Sequence, residues 1–163
     1  MSNYKNSKKE SFLAAIPTAS LDNDDDTLSE KCKFNFGYFD VQEGISQDFK
    51  HWSDNELIKL FEKLKHYSEF SLAHWKKHKA RKYPVFAVYE KFPTNTDYIQ
   101  PKHIPHQVLW SRFHLENKVR VIGFVIPDEY KDKAHQKTGQ RFDTNTFYVV
   151  YLDKEHKFYK TEK

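Results

Sequence analysis

Hydrophobic positions fall into three regimes along the chain. Residues 1 to about 30 show no sustained period of either kind and are rich in Ser, Asn, Asp and Lys, which predicts a disordered tail over 1–32. From Lys33 to Asp40 the pattern alternates, with Phe34, Phe36 and Tyr38 on one side, which predicts a first strand. Leu57, Leu60, Phe61 and Leu64 then recur at helical spacing behind Ser53, an N-cap residue followed by the acidic Asp54 and Glu56. A helix over Ser53 to about Tyr67 follows, and Ser71 opens a shorter one that includes Leu72 and Trp75.

Proline then sets the tempo. Pro84, Pro93, Pro101 and Pro105 leave Val85 to Tyr89 as at most a short edge strand and make 92–106 largely loop. Three strands are predicted in close succession, Val108–Leu115, Val119–Ile126 and Thr146–Leu152, with a short fourth segment at Lys157–Tyr159. Glu116-Asn117 suits a tight reversal, and Asp128 to Asp143 reads as a polar excursion of one hairpin with room for one helical turn. Helices followed by a strand meander give an α+β fold, an antiparallel sheet of four to five strands with one or two helices packed on one face, as a single domain over 33–163.

Composition supplies the core. Only 38% of the 163 residues are hydrophobic, but 14 Phe, 10 Tyr and 3 Trp offer large areas for burial. No run of apolar residues is long enough to span a bilayer or to form a secretion signal, so the chain is expected in the cytoplasm without a membrane partner. Cys32, the single cysteine, excludes an internal disulfide and a cysteine zinc site, and reads as an inert thiol.

Charge divides the chain. The first thirty residues carry 3 − 6 = −3 and the rest (27 − 3) − (23 − 6) = +7, so a basic body follows an acidic tail. Such a body suits a polyanion, for which the tail could compete, and Phe12, Leu13 and Ile16 could dock as a short helical motif on a partner or on the body.

Candidate chemistry lies near the C-terminus. On alternating strands, Arg112, His114 and Glu116 share one parity and Lys118, Arg120 and Ile122 share another, so a polar stripe can form across one sheet face. Arg120 is unusual because it sits inside the apolar run 119–125. The bland readings make His114 a half-buried strand residue, Arg112 a solvated edge cation, Asp153 with His156 a turn holder, and Tyr159 a core or lid aromatic. His74 and His78 have metal-like spacing but belong to the basic run Lys76, Lys77, Lys79, Arg81 and Lys82, which fits a solvated face. His103 and His106 have no identifiable metal partners in the sequence, and four scattered glycines form no phosphate loop. No metal and no cofactor is expected.

From Val108 to Tyr159, the Trp110-Ser111-Arg112 start of one strand, Arg120 ahead of a hydrophobic run, and the His156 and Tyr159 ending resemble the RelE/ParE-type toxin superfamily, in particular its YoeB-like branch. Over more of the body, the closing Asp-x-x-His-x-x-Tyr pattern is similar to a group of small bacterial proteins of mobile-element character. The first resemblance implies a small sheet with helices on one face and a toxin-like RNA endonuclease, often acting on messenger RNA in the ribosome and paired with an antitoxin. RNA cleavage by a ribose 2′-hydroxyl needs a base, an acid and cations for the phosphorane. Arg120, Arg112, Lys118 and Lys157 are candidates for phosphate contact, His156 or His114 for proton transfer, and Tyr159 for stacking or proton donation, with Glu116 as a turn carboxylate. Two other functions remain open. One is a non-catalytic module that binds nucleic acid or protein through Lys76, Lys77, Lys79 and Arg81 with Trp75 and Tyr83, and the other is an accessory or inhibitor protein of a mobile element.

Overall fold

A computed structural model describes residues 7–16, 20–22 and 27–160. Its elements are α1 (Ser7–Ala14), β1 (Lys33–Asn35), α2 (Asp54–Tyr67), α3 (Leu72–Lys77), β2 (Lys79–Ala80), β3 (Tyr83–Pro84), β4 (Phe86–Val88), β5 (Leu109–His114), β6 (Arg120–Val125) and β7 (Thr146–Asp153). The fold is α+β, with a five-stranded sheet in the order β1-β7-β6-β5-β4 and a separate ribbon of β2 and β3. The sheet is mixed rather than purely antiparallel, because β1 runs parallel to β7 with Phe34 beside Phe147. Both helices and the strands β2 to β6 lie between β1 and β7 in the chain, and so long a connection makes a parallel partner accessible.

The strand predicted over Lys33–Asp40 stops at Asn35. The Asn35 side chain accepts the Gly37 backbone N–H at 2.8 Å, a local turn that competes with strand pairing. Phe36 and Phe39 instead pack on Phe49. The predicted closing segment at 157–159 is not a strand and lies folded against the sheet.

Ser53 and Glu56 form a full capping box on α2: Glu56 N–H donates to Ser53 Oγ, and Ser53 N–H donates to Glu56 Oε2 at 2.8 Å. Leu60, Leu64 and Tyr67 carry the buried face of α2, while Phe61, expected in it, is 58% exposed. On α1 no residue is buried, and Phe12 and Leu13 face solvent. Phe12, Leu13 and Ile16 are not docked on the body, and Ser7–Ala14 is helical within the stretch expected to be a disordered tail.

The sheet is buried on both faces, which explains why all six residues of β6 are buried. Against the helices lie Phe86, Phe113, Val121, Phe147, Val149 and Leu152. The opposite, outer face carries Trp110, Ile122, Phe124, Val150 and Tyr151 beneath Tyr98, Ile104 and Phe158 from irregular segments. An aromatic-rich loop can cover a sheet because its rings bury large areas while Asn95, Thr96 and Asp97 hydrogen-bond its backbone to the C-terminal segment.

One irregularity orders the outer face. The β6–β7 ladder pairs Ile122 with Tyr151 and Gly123 with Val149, so Val150 is an inserted residue. Side-chain parity flips there, and Tyr151 and Asp153 point outward where uninterrupted alternation from Phe147 would turn them toward the helices. Gly123 sits at this bulge, where an added Cβ would collide with the Tyr148 carbonyl oxygen.

Candidate active site on the outer sheet face

Arg112 on β5 and Arg120 on β6 reach the outer face at the end of the sheet where these strands meet their connecting turn. In the ladder His114 pairs with Arg120 and Arg120 with Asp153, which places the polar stripe across three strands. With Ile122 and Phe158, the side chains of Tyr89, Arg112, Arg120, Asp153, His156 and Tyr159 close round a tight hollow that does not admit a water-sized sphere. Tyr89 and Asp153 are the polar lining residues not assigned to the site from sequence.

The arginines are held from behind. Arg112 Nε donates to the Tyr89 hydroxyl at 2.8 Å. Arg120 Nη1 donates to the carbonyl oxygens of Asn117 and Val119, each at 2.8 Å, using the turn in which Asn117 takes a φ of 45°. Neither guanidinium forms an ion pair within the described chain. Arg112 Nη1 and Arg120 Nε are buried without an acceptor, although Arg120 is only 7% exposed. Unspent N–H groups on buried cations carry a desolvation cost that an anion would offset.

Asp153 is fully buried but is engaged elsewhere. Its Oδ1 accepts the N–H groups of Glu155 and Lys157 at 3.1 Å, and its Oδ2 accepts that of Phe158 at 2.9 Å. The carboxylate therefore holds a turn, as the bland reading proposed, and through it sets His156 in a left-handed conformation with φ of 61°. Tyr159, 42% exposed, stacks on Tyr89 with centroids 5.2 Å apart and planes 10° from parallel.

Electrostatics favour neutral imidazoles. Burial, then the charges of Arg120 and Arg112, push His114 down to about 4. His156 is lowered by burial and Arg120, against an opposing pull from Asp153. Burial and Arg112 lower Arg120 itself to about 10, still protonated at neutral pH. The hollow thus combines two fixed cations with one imidazole able to accept a proton, that of His156, while His114 lies next to Arg120 in the ladder and outside the lining.

Other candidates lie apart. Glu116 faces the helix side, 3.9 Å from Lys59 Nζ, beside Trp52 and Lys63. Lys118 is exposed in the turn, and Lys157 pairs with Glu155 at 2.5 Å and is raised by that contact. Lys76 and Lys77 end α3, and Lys79 and Arg81 lie in the β2–β3 hairpin beyond the β4 edge, all exposed and outside the hollow. His74 stacks between Phe70 and His78, with centroids 4.2 and 4.3 Å away. Among the described residues no group of three His, Cys, Asp or Glu side chains is placed to hold a metal ion, and no helix is long and apolar enough to cross a membrane.

Fold and site together define the class, an α+β protein whose mixed sheet carries helices on one face and an arginine-lined hollow on the other. No family model, curated protein or solved structure matches the chain.

Proposed function

We propose that this chain is a toxin-like endoribonuclease that cleaves RNA by a metal-independent route at the outer sheet face. The observation carrying the reading is the pair of guanidinium groups from adjacent strands whose buried N–H donors, Arg112 Nη1 and Arg120 Nε, are unspent in one hollow. The resemblance of 108–159 to the RelE/ParE superfamily supports it, and so does the net charge of the body.

In this scheme the neutral imidazole of His156 takes the proton of the ribose 2′-hydroxyl. The oxygen attacks the adjacent phosphorus, and Arg112 and Arg120 stabilise the charge of the phosphorane with planar donor forks. The bond to the 5′-oxygen then breaks, and that oxygen takes a proton from the Tyr159 hydroxyl, which recovers it from the imidazolium formed in the first step. The products are a 2′,3′-cyclic phosphate and a 5′-hydroxyl. The closed hollow must open for a phosphate to enter. Tyr159 is exposed and held to the body chiefly by its stack on Tyr89, so it is the side chain that moves. The partners implied are RNA, free or in the ribosome, and an antitoxin that covers the hollow.

The test is cleavage of end-labelled single-stranded RNA by the purified chain in a chelator, with the ends identified. Cyclic phosphate ends, lost in Arg112→Ala and Arg120→Lys while folding is retained, are the expected result. Intact RNA, or cleavage undiminished in both variants, would overturn the reading.

A second reading, nucleic-acid binding without cleavage, is favoured by Lys76, Lys77, Lys79, Arg81 and Lys82, which are exposed and form no ion pair among the described residues. It predicts affinity that falls steeply with salt and survives Arg112→Ala.

A further inference from the structure

The segment 128–143 builds a second cavity on the same sheet face. A 3-10 turn at Asp128–Tyr130, a bridge between Ala134 and Arg141, and the bond from Phe142 N–H to the Lys133 carbonyl fold it into a small lobe. Tyr130, His135 and Phe142 of this lobe face Tyr38, Phe124 and Tyr148 of the body across a cavity of about 380 Å3, with Val108, Ile126 and Pro127 also in its walls. That volume falls in the range of small-ligand sites.

The walls select for a flat aromatic guest. Phe124 and Tyr148 lie parallel, 4.9 Å apart with planes at 6°, and Tyr38 stands edge-on to both at 79° and 86°. Across the opening Tyr130 meets Phe142 at 83°, with Lys133 Nζ 4.4 Å from the Tyr130 ring centre. The lining is mainly apolar, and its few hydrogen-bonding groups include the Gln107 amide and His135. Thr138 N–H donates to His135 Nδ1 at 3.3 Å, which leaves Nε2 as the ring nitrogen available to a guest. Planar faces with a few edge donors and acceptors match a nucleobase.

Position links this cavity to the arginine hollow. Arg120, Ile122 and Phe124 alternate onto the same face of β6, so the two sites are separated by about 13 Å along one strand. We propose that the cavity between the 128–143 lobe and the sheet is a nucleobase-binding subsite that stacks one base of a single-stranded RNA whose phosphate occupies the Arg112–Arg120 hollow. The proposal rests on the RNA reading above for its ligand, while the base contact itself has an independent readout.

The experiment titrates the intact chain with the four free nucleosides, which carry no phosphate, and with a short oligoribonucleotide made uncleavable by a 2′-deoxy sugar, following aromatic NMR signals. Nucleoside binding that shifts the Tyr130, Tyr148 and Phe142 rings, weakened roughly tenfold by Tyr130→Ala or Phe142→Ala and untouched by Arg112→Ala, is the expected result. The oligonucleotide is expected to bind more tightly than the nucleoside and to lose that advantage in Arg112→Ala. No nucleoside binding at millimolar concentration, or binding indifferent to both lobe variants, would overturn the subsite. An oligonucleotide no tighter than a nucleoside would overturn its link to an RNA strand. Loss of RNA cleavage in Arg112→Ala reports only on the hollow, so the two ideas fail separately. Both lobe residues are partly exposed, and unchanged circular dichroism confirms that the variants fold.

Discussion

Arg120 and Asp153 face each other in register on neighbouring strands, yet each spends its hydrogen bonds on backbone groups and the two form no ion pair. The carboxylate builds the turn that carries His156, and the guanidinium keeps Nε unspent. This separation leaves positive charge in the hollow.

Replacing Asp153 by Asn tests the turn. An amide offers one acceptor oxygen in place of two and no charge, so part of the three-amide cradle is lost. Urea unfolding is expected to show a loss of about 2–3 kcal/mol, and amide hydrogen exchange to show faster opening at Lys157 and Phe158. Unchanged protection at those amides would contradict the role assigned to Asp153.

His114 makes stability depend on pH. Its folded pKa of about 4 lies below the unfolded value of 6.5, so above 6.5 both states are neutral there and the contribution is fully present. As pH falls from 6.5 toward 4 the unfolded chain binds a proton that the folded chain does not, and stability declines. His156 acts in the same direction. His114→Gln is expected to flatten part of the slope of urea midpoint against pH in this window, leaving the part due to His156.

Gly123 answers to packing. A methyl at this position meets the Tyr148 carbonyl oxygen and the Phe147 ring, both held in the central ladder. Gly123→Ala is expected to destabilise by about 3 kcal/mol or to prevent folding. Gly139→Ala is the contrast. It has open space but a φ of 69°, so its cost is backbone strain alone, about 1 kcal/mol. Thermal melts of the two variants measure the difference.

Cys32 is expected to be silent toward thiol reagents. Burial pushes its thiol up to about 12, and its S–H donates to the Tyr67 carbonyl at 3.1 Å. Modification by a disulfide reagent at pH 8 should proceed only at the rate of unfolding and become rapid in denaturant. Fast labelling of the folded chain would show that the junction of β1 with the α2 end opens.

Much of the candidate site was legible along the chain. The strand pairing that joins Arg112, His114 and Arg120 follows from period-two alternation and a short reversal, and both depend on neighbouring residues alone. The α2 cap and its apolar repeat are local for the same reason. Asp153 could not be assigned to the outer face in this way, because parity counted from Phe147 is broken at Val150 by a bulge that exists only in the paired ladder. Nor could Tyr89, whose hydroxyl meets Arg112 only once β4 has taken its edge position.

Local spacing by itself therefore determined α2 and α3, most of the strands and the common face of the arginines, since each is a matter of which side chains lie two, three or four residues apart. Tertiary structure alone decided the parallel β1–β7 pairing, the covering of the outer face by loop and C-terminal segment, and the folding of 128–143 into the wall of a cavity. These depend on contacts between residues far apart in the chain, whose entropy cost is recovered only when the whole sheet is assembled.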